Sequence, residues 1–273
     1  MPNSRARLSR ANKTPIKSPE GLAGAELSLA RIPGLPEIQR ESDLGKLLVD
    51  AARKAGLQFK DGDILVVAQK IVSKAEGAVV RLATVKPSAQ ARELTQNLNN
   101  KDPRVAELVL RQSRRILRSE RVLIVETHHG LVCANAGIDH SNVPGEDVVT
   151  LLPENPDRSA QKLAAALRKN TGKRIAVIIS DTFGRPWRLG LTNVAIGAAG
   201  LPVLCDLRGT CDSHGKILTA TVLAIADELA AAAGLLMGKA DSSPVVLIRG
   251  YRYEPSTDKA AQIIRPASED LFR

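Results

Sequence analysis

Two runs of five apolar residues with no polar interruption, Ile64-Leu65-Val66-Val67-Ala68 and Ile175-Ala176-Val177-Ile178-Ile179, constrain this chain more than any other feature. Alternating polarity would mark a strand with one face in water. An unbroken run this short marks a strand covered on both faces. A third run, Val245-Val246-Leu247-Ile248, lies late in the chain, and Val122-Leu123-Ile124-Val125 leads into Gly130-Leu131-Val132. Helical patterns alternate with these strands. Leu44, Leu47, Leu48, Ala51 and Ala55 recur at helical spacing, with Ser42 as the expected N-cap and Gly56 as the stop. A second helix is expected from Asp157 to Asn170, capped by Asp157 and closed by Gly172. The pattern predicts an α+β or mixed α/β chain without internal repeats.

The cover over those strands must be aliphatic, because aromatic residues make up only 2% of the 273. That length corresponds to one large domain or two modest ones and buries a core without disulfides. Cys133, Cys205 and Cys211 form no C-x-x-C pair, which points to a reducing cytoplasm. The longest apolar stretch, Ile217 to Met237, carries Asp227 and Glu228. Each would cost roughly 2.5–3.5 kcal/mol at a bilayer centre, so the stretch reads as a buried helix and not as a membrane span.

A net charge of +10 suggests nucleic acid until it is located. Half of it comes from Arg5, Arg7, Arg10, Lys13 and Lys17, ahead of the first acidic residue. Residues 1–24 read as a disordered basic tail and residues 25–273 as the folded unit. With few aromatic stacking platforms, no specific nucleic-acid partner is expected.

The chain lacks G-x-x-x-x-G-K-[ST], G-x-G-x-x-G and G-x-S-x-G, which disfavours a P-loop, a dinucleotide fold and a nucleophile elbow. Two aspartates stand out by position. Asp181 follows the run ending at Ile179, and Asp139 sits in Ala136-Gly137-Ile138-Asp139-His140-Ser141-Asn142. A carboxylate at a strand end either faces a ligand crevice or caps a turn. Taken with the Thr182 hydroxyl, the two carboxylates form a hard oxygen set suited to Mg²⁺ or Mn²⁺ on phosphates. Arg185 and Arg188 offer bidentate contacts to anionic groups, and Trp187 between them offers a ring to stack or to pack. The segment Gln69-Lys70-Ile71-Val72-Ser73-Lys74 supplies lysines that reach phosphate as point charges, or is a solvated loop. Met237-Gly238-Lys239-Ala240-Asp241-Ser242-Ser243-Pro244 is a small-residue link where backbone approaches a ligand, or a plain helix end.

From about Arg31 to Gly250 these segments, in this order, resemble the coenzyme F420:L-glutamate ligase family. The marks are Gly34-Leu35-Pro36, Asp61-Gly62-Asp63 with Val72-Ser73-Lys74-Ala75-Glu76-Gly77, and Ala136-Gly137-Ile138-Asp139 with Ser141-Asn142-Val143. Ser180-Asp181-Thr182 with Gly184-Arg185, Ala226-Asp227-Glu228, and Met237-Gly238-Lys239 complete them. Each is weak alone; in register they are specific. The resemblance implies a GTP-dependent ligase that adds L-glutamate to the deazaflavin precursor F420-0. It also implies an α+β fold of two intertwined mixed α/β subdomains, a homodimer, two Mn²⁺ or Mg²⁺ sites and a monovalent cation such as K⁺.

Carried over by matching motif, Asp139 and Asp181 would hold one metal and Thr182 would help with a second. Leu35, Pro36, Glu37, Ile38, Gln69, Lys70, Lys74, Asn142 and residues 237–244 would line the nucleotide site. Lys74 and Asp181 would act in catalysis, and Arg185 would meet substrate. Some members carry an acidic residue where Lys239 stands, and Asp241 is the carboxylate nearby. A different class with the same oxygen ligands is a metal-dependent phosphatase or phosphotransferase; amide formation separates the two.

Overall fold

The computed structural model describes residues 26–96, 98, 101–141, 145, 147–238 and 243–270. The basic tail expected over residues 1–24 lies outside them, as do Asn142 and residues 239–242 of the expected site. The chain opens with strand β1 (Ser28–Arg31), helix α1 (Leu44–Lys54), strand β2 (Ile64–Ala68) and helix α2 (Gln69–Glu76). Smaller elements follow: β3 (Val79–Arg81), α3 (Ala89–Gln96), α4 (Pro103–Arg111), β4 (Ser113–Arg118), β5 (Ile124–Thr127), β6 (Val132–Ala134) and β7 (Val148–Thr150). Helix α5 (Pro156–Thr171) leads into a long hairpin of β8 (Ala176–Arg185) and β9 (Arg188–Ala199). The short pair β10 (Cys205–Asp206) and β11 (Val222–Leu223), helix α6 (Ile225–Gly234) and strand β12 (Val245–Arg249) come last. The architecture is mixed α/β.

The unbroken apolar runs lie in the middle of a five-stranded sheet ordered β1-β12-β2-β8-β9. β2 and β8 run parallel, and the other neighbours are antiparallel. Alternate residues serve opposite faces. Leu65, Val67, Val177, Ile179 and Leu247 pack with Leu48 and Ala51 of α1 and Leu163 and Leu167 of α5. Ile64, Val66, Ile178, Val246 and Ile248 pack with Ala226, Leu229, Ala230 and Ala233 of α6. Burying each such Val, Leu or Ile is worth about 1.5–3 kcal/mol, which is why neither face tolerates a polar residue. Glycines set the closest approaches: a Cβ on Gly197 would lie 2.4 Å from the Pro156 carbonyl oxygen, where β9 meets α5.

Residues 79–151 form a second packing unit between α2 and α5. Val105 and Val109 of α4 and Ala91 of α3 pack with Leu123, Val125 and Val149. Over this core lie the sheet β4-β5-β6 and the pair β3-β7. No described helix is long and apolar enough to cross a membrane.

Four local expectations are corrected. The N-cap of α1 is Asp43, whose carboxylate accepts from the Lys46 amide at 3.0 Å; the Ser42 hydroxyl accepts from Gln39 instead. The cap of α5 is Asn155, accepting from the Arg158 amide, because Asp157 is turned inward. β8 runs on past Ile179 to Arg185, since β9 pairs with it along that whole length. The helix expected over 217–237 is only Ile225–Gly234; Val222 and Leu223 pair as strand with Cys205 and Asp206. The expected stops hold: Gly56 has φ 72° and Gly172 φ 71°.

Candidate active site

Six segments, far apart in sequence, line one cavity of about 900 Å³, β9 among them with Leu191 and Asn193. Leu35, Pro36, Glu37 and Ile38 come from the extended chain after β1, and Gln69, Lys70, Ile71 and Lys74 from the first turns of α2. Ala134, Gly137, Ile138 and Asp139 come from the turn after β6, and Ser180, Asp181 and Thr182 from β8. Met237, Gly238, Ser243 and Pro244 close it between α6 and β12. Each expected site residue among the described ones reaches this cavity, except Arg185. That residue sits at the tip of the β8–β9 hairpin, where its guanidinium donates to the Leu189 carbonyl at 2.9 Å.

Local rules explain much of the convergence. Lys70 and Lys74 stand four apart on α2 and therefore share a face, and Gln69 and Ser73 do likewise. Asp139 is aimed by three consecutive left-handed residues, Asn135 (φ 53°), Ala136 (φ 55°) and Gly137 (φ 71°). A side chain at Gly137 would meet Leu152 at 2.8 Å, so this turn needs glycine twice over, for backbone and for space. In β8 the pairing shifts register between Ile179 (opposite Gly197) and Ser180 (opposite Ala195). Asp181 and Thr182 follow that irregularity.

Both lysines of the cavity are paired with a carboxylate. Lys70 Nζ lies 2.7 Å from Asp139 Oδ2, and it also donates to the Ser141 carbonyl and hydroxyl. The Ser141 amide donates to Asp139 Oδ1 at 2.7 Å. Burial pushes the Asp139 carboxyl up, but Lys70 and the Ser141 amide outweigh it and hold it below the usual carboxylate range. Lys74, buried on α2, donates to Glu37 at 2.6 Å. The Thr182 amide donates to Asp181 at 2.8 Å and its hydroxyl to Asn193 at 3.1 Å.

Cys133, in β6, is no nucleophile at neutral pH: burial and the charge of Asp181 push its thiol up to about 12. Cys133, Cys205 and Cys211 are all free thiols.

Sequence reasoning missed two residues here. Asn193 lies on β9 and reaches the cavity only because it pairs with Thr182 across the hairpin, a contact with no local signal. Ser180 carried no assignment, yet its Oγ is buried without a hydrogen-bond partner, as is Nε2 of Gln69.

The donor set favours a hard divalent cation. Asp139, Asp181 and Thr182 offer only oxygen to an ion in the cavity. Mg²⁺ and Mn²⁺ accept such sparse oxygen sites because water and substrate phosphates complete their shells.

The family described as F420-0:Gamma-glutamyl ligase matches residues 34–250. The chain is 45% identical over 251 residues to the coenzyme F420:L-glutamate ligase of Methanothermobacter thermautotrophicus, spanning 90% of this chain and 99% of that one. It is 43% identical over 253 residues to the enzyme of that name from Methanopyrus kandleri, spanning 90% and 98% of the two chains. With the Methanocaldococcus jannaschii enzyme of the same name it shares 44% identity over 217 residues, 79% and 86% of the two chains.

Proposed function

The chain belongs to the F420-0:gamma-glutamyl ligase family, and from that premise we propose that it joins L-glutamate to F420-0 by an amide bond, using GTP. The enzyme is a ligase of coenzyme F420 biosynthesis. The observation that carries the GTP-dependent reading is the meeting of Lys70, Lys74, Asp139 and Asp181 in one cavity. A carboxylate is a poor electrophile because its charge is shared by two oxygens. An amide ligase therefore first moves the γ-phosphoryl group onto that carboxylate, and the resulting acyl phosphate is what the amine attacks. Phosphoryl transfer needs positioning and charge neutralisation more than a nucleophilic side chain.

In this reading Leu35–Ile38, Gln69, Lys70, Lys74, Met237, Gly238, Ser243 and Pro244 hold the nucleotide, together with Asn142 and residues 239–242. Lys74 offsets charge on the transferring group. Its partner Glu37 is the one that yields: the Glu37 side chain is 58% exposed and that of Lys74 only 10%. Asp139 and Asp181 would hold one Mn²⁺ or Mg²⁺, and Thr182 would contribute to a second. A divalent ion there supplies positive charge against the phosphate oxygens. A bound K⁺ belongs to the same proposal. A homodimer and a substrate contact through Arg185 belong to the same proposal. Three free thiols suit the reducing cytoplasm.

Mass spectrometry of F420-0 incubated with the protein, GTP, Mn²⁺ and L-glutamate tests this. Glutamyl mass increments that require GTP are expected. GTP hydrolysis without any increment overturns the ligase reading in favour of a phosphatase.

A further inference from the structure

The segment Ala226-Asp227-Glu228 lies in the first turn of α6 and contributes no lining residue to the cavity, yet Asp227 makes a contact that local rules do not ask of it. A carboxylate at the third position of a helix ordinarily serves its own first turn. Asp227 instead reaches β9, where its Oδ1 accepts from the Ala195 amide at 2.8 Å. Ala195 is the residue at which β9 takes up a new register. Ile179 faces Gly197 and Ser180 faces Ala195, so Ile196 is the extra residue of a bulge. A bulge leaves ladder groups without cross-strand partners and re-aims the side chains beside it. Burial is the larger influence on the half-buried Asp227 carboxyl and pushes it up, while the Ala195 hydrogen bond draws it partway back.

The side chains beyond the bulge are the ones the ligase reading uses. Asp181 pairs with Val194 and Thr182 with Asn193, and in that register the Thr182 hydroxyl donates to Asn193 at 3.1 Å. Slipping β9 by one residue would set Val194 opposite Thr182 and turn Asn193 to the other face. Helix α6 also fits β9 closely at Asn193: a Cβ on Gly234 would lie 3.0 Å from the Asn193 side chain. We propose that Asp227 is a positioning residue that pins the bulge in β9 and so sets Asp181 and Thr182 in the cavity. The assignment rests on the ligase reading above and gives Asp227 a part in it without contact to substrate. The contact needs an oxygen acceptor, which asparagine keeps and alanine lacks.

Asp227→Ala and Asp227→Asn, each made in the full chain, test this, with turnover taken per folded protein well below the Tm. Loss of an outer-shell partner costs about 10–100-fold in comparable sites, so Asp227→Ala should lower kcat by that order and Asp227→Asn should stay within about threefold of the parent. Hydrogen exchange at the Ala195 amide, read by NMR on isotope-labelled alanine, reports the contact itself. Exchange should be slow in the parent and in Asp227→Asn, and roughly tenfold faster in Asp227→Ala. A carboxylate that only supports the fold would lower the Tm of the alanine variant and leave kcat of the folded protein unchanged. That result, an equally low kcat in both variants, or an Ala195 amide that exchanges alike in the parent and in Asp227→Ala would each overturn the assignment. If the unsubstituted protein forms no glutamylated product, the ligase reading falls first and this role with it; failure confined to the variants counts against Asp227 alone.

Discussion

At the scale of single residues, carboxylates in this chain have very different work. Asp157 is 8% exposed. It accepts from the amides of Ala198 at 2.9 Å, Ala260 at 2.8 Å and Ala261 at 3.3 Å, joining α5 to β9 and to the chain after β12. Asp157→Ala leaves the buried amides of Ala198 and Ala260 unpaired, at about 1–3 kcal/mol for each group. Urea unfolding should therefore show a loss of at least about 2 kcal/mol. Asp181 faces the cavity instead, and its loss should leave stability nearly unchanged. Removing partners in the outer shell of a metal site already costs about 10–100-fold, so Asp181→Ala should lower glutamylation by more than about 100-fold. Product formation and circular dichroism measured together check this pair, and near-parental turnover in Asp181→Ala would remove the metal-ligand role.

Among the elements, a glutamate of α4 adds a hydrogen bond to the residue ahead of α3. Glu107 accepts from the Ser88 amide at 2.9 Å and from Arg111 Nε at 2.9 Å. Hydrogen bonds from Ser88 and the Arg111 charge hold its carboxyl down to about 2. A carboxyl lowered in the folded state contributes stability above its unfolded value, and that contribution disappears as pH falls through the folded one. Glu107→Gln should therefore flatten the decline in stability between about pH 4.5 and pH 2, followed by thermal melts across that range. An unchanged acid limb would place the origin of acid sensitivity elsewhere. The β8–β9 hairpin is the other element with a distinct character: Trp187 is 84% exposed, Leu189 98% and Leu191 60%. Apolar residues on a projecting hairpin are consistent with the homodimer proposed above.

Over the whole molecule, the +10 charge separates from the chemistry. The cavity's lysines are each matched by a carboxylate, whereas half of the basic excess sits in Arg5, Arg7, Arg10, Lys13 and Lys17, ahead of any acidic residue. Deleting residues 1–24 should abolish most binding to duplex DNA at low salt and leave glutamylation unchanged. Fluorescence anisotropy with a labelled duplex reads the first, and the mass assay the second. DNA binding that survives the deletion would point to a basic surface of the folded part.

Much of this protein is written locally. An unbroken apolar run needs cover on both faces, so Ile64–Ala68 and Ile175–Ile179 were readable as central strands, and the glycine stops at Gly56 and Gly172 follow from φ alone. The ordered motifs around Lys74, Asp139 and Asp181 marked the family and most of the residues that line the cavity. What was not readable depends on partners remote in sequence. Asp157 looks like a cap from its neighbours and becomes a buried acceptor only because β9 and the last turns of chain arrive beside it. β8 continues through Ser180-Asp181-Thr182 because β9 pairs with it, which no property of those three residues requires. Ser180 and Gln69 are ordinary polar residues until packing seals them without partners. Local propensity and burial preference are properties of a few adjacent residues, whereas hydrogen-bond satisfaction is settled only when every segment is in place.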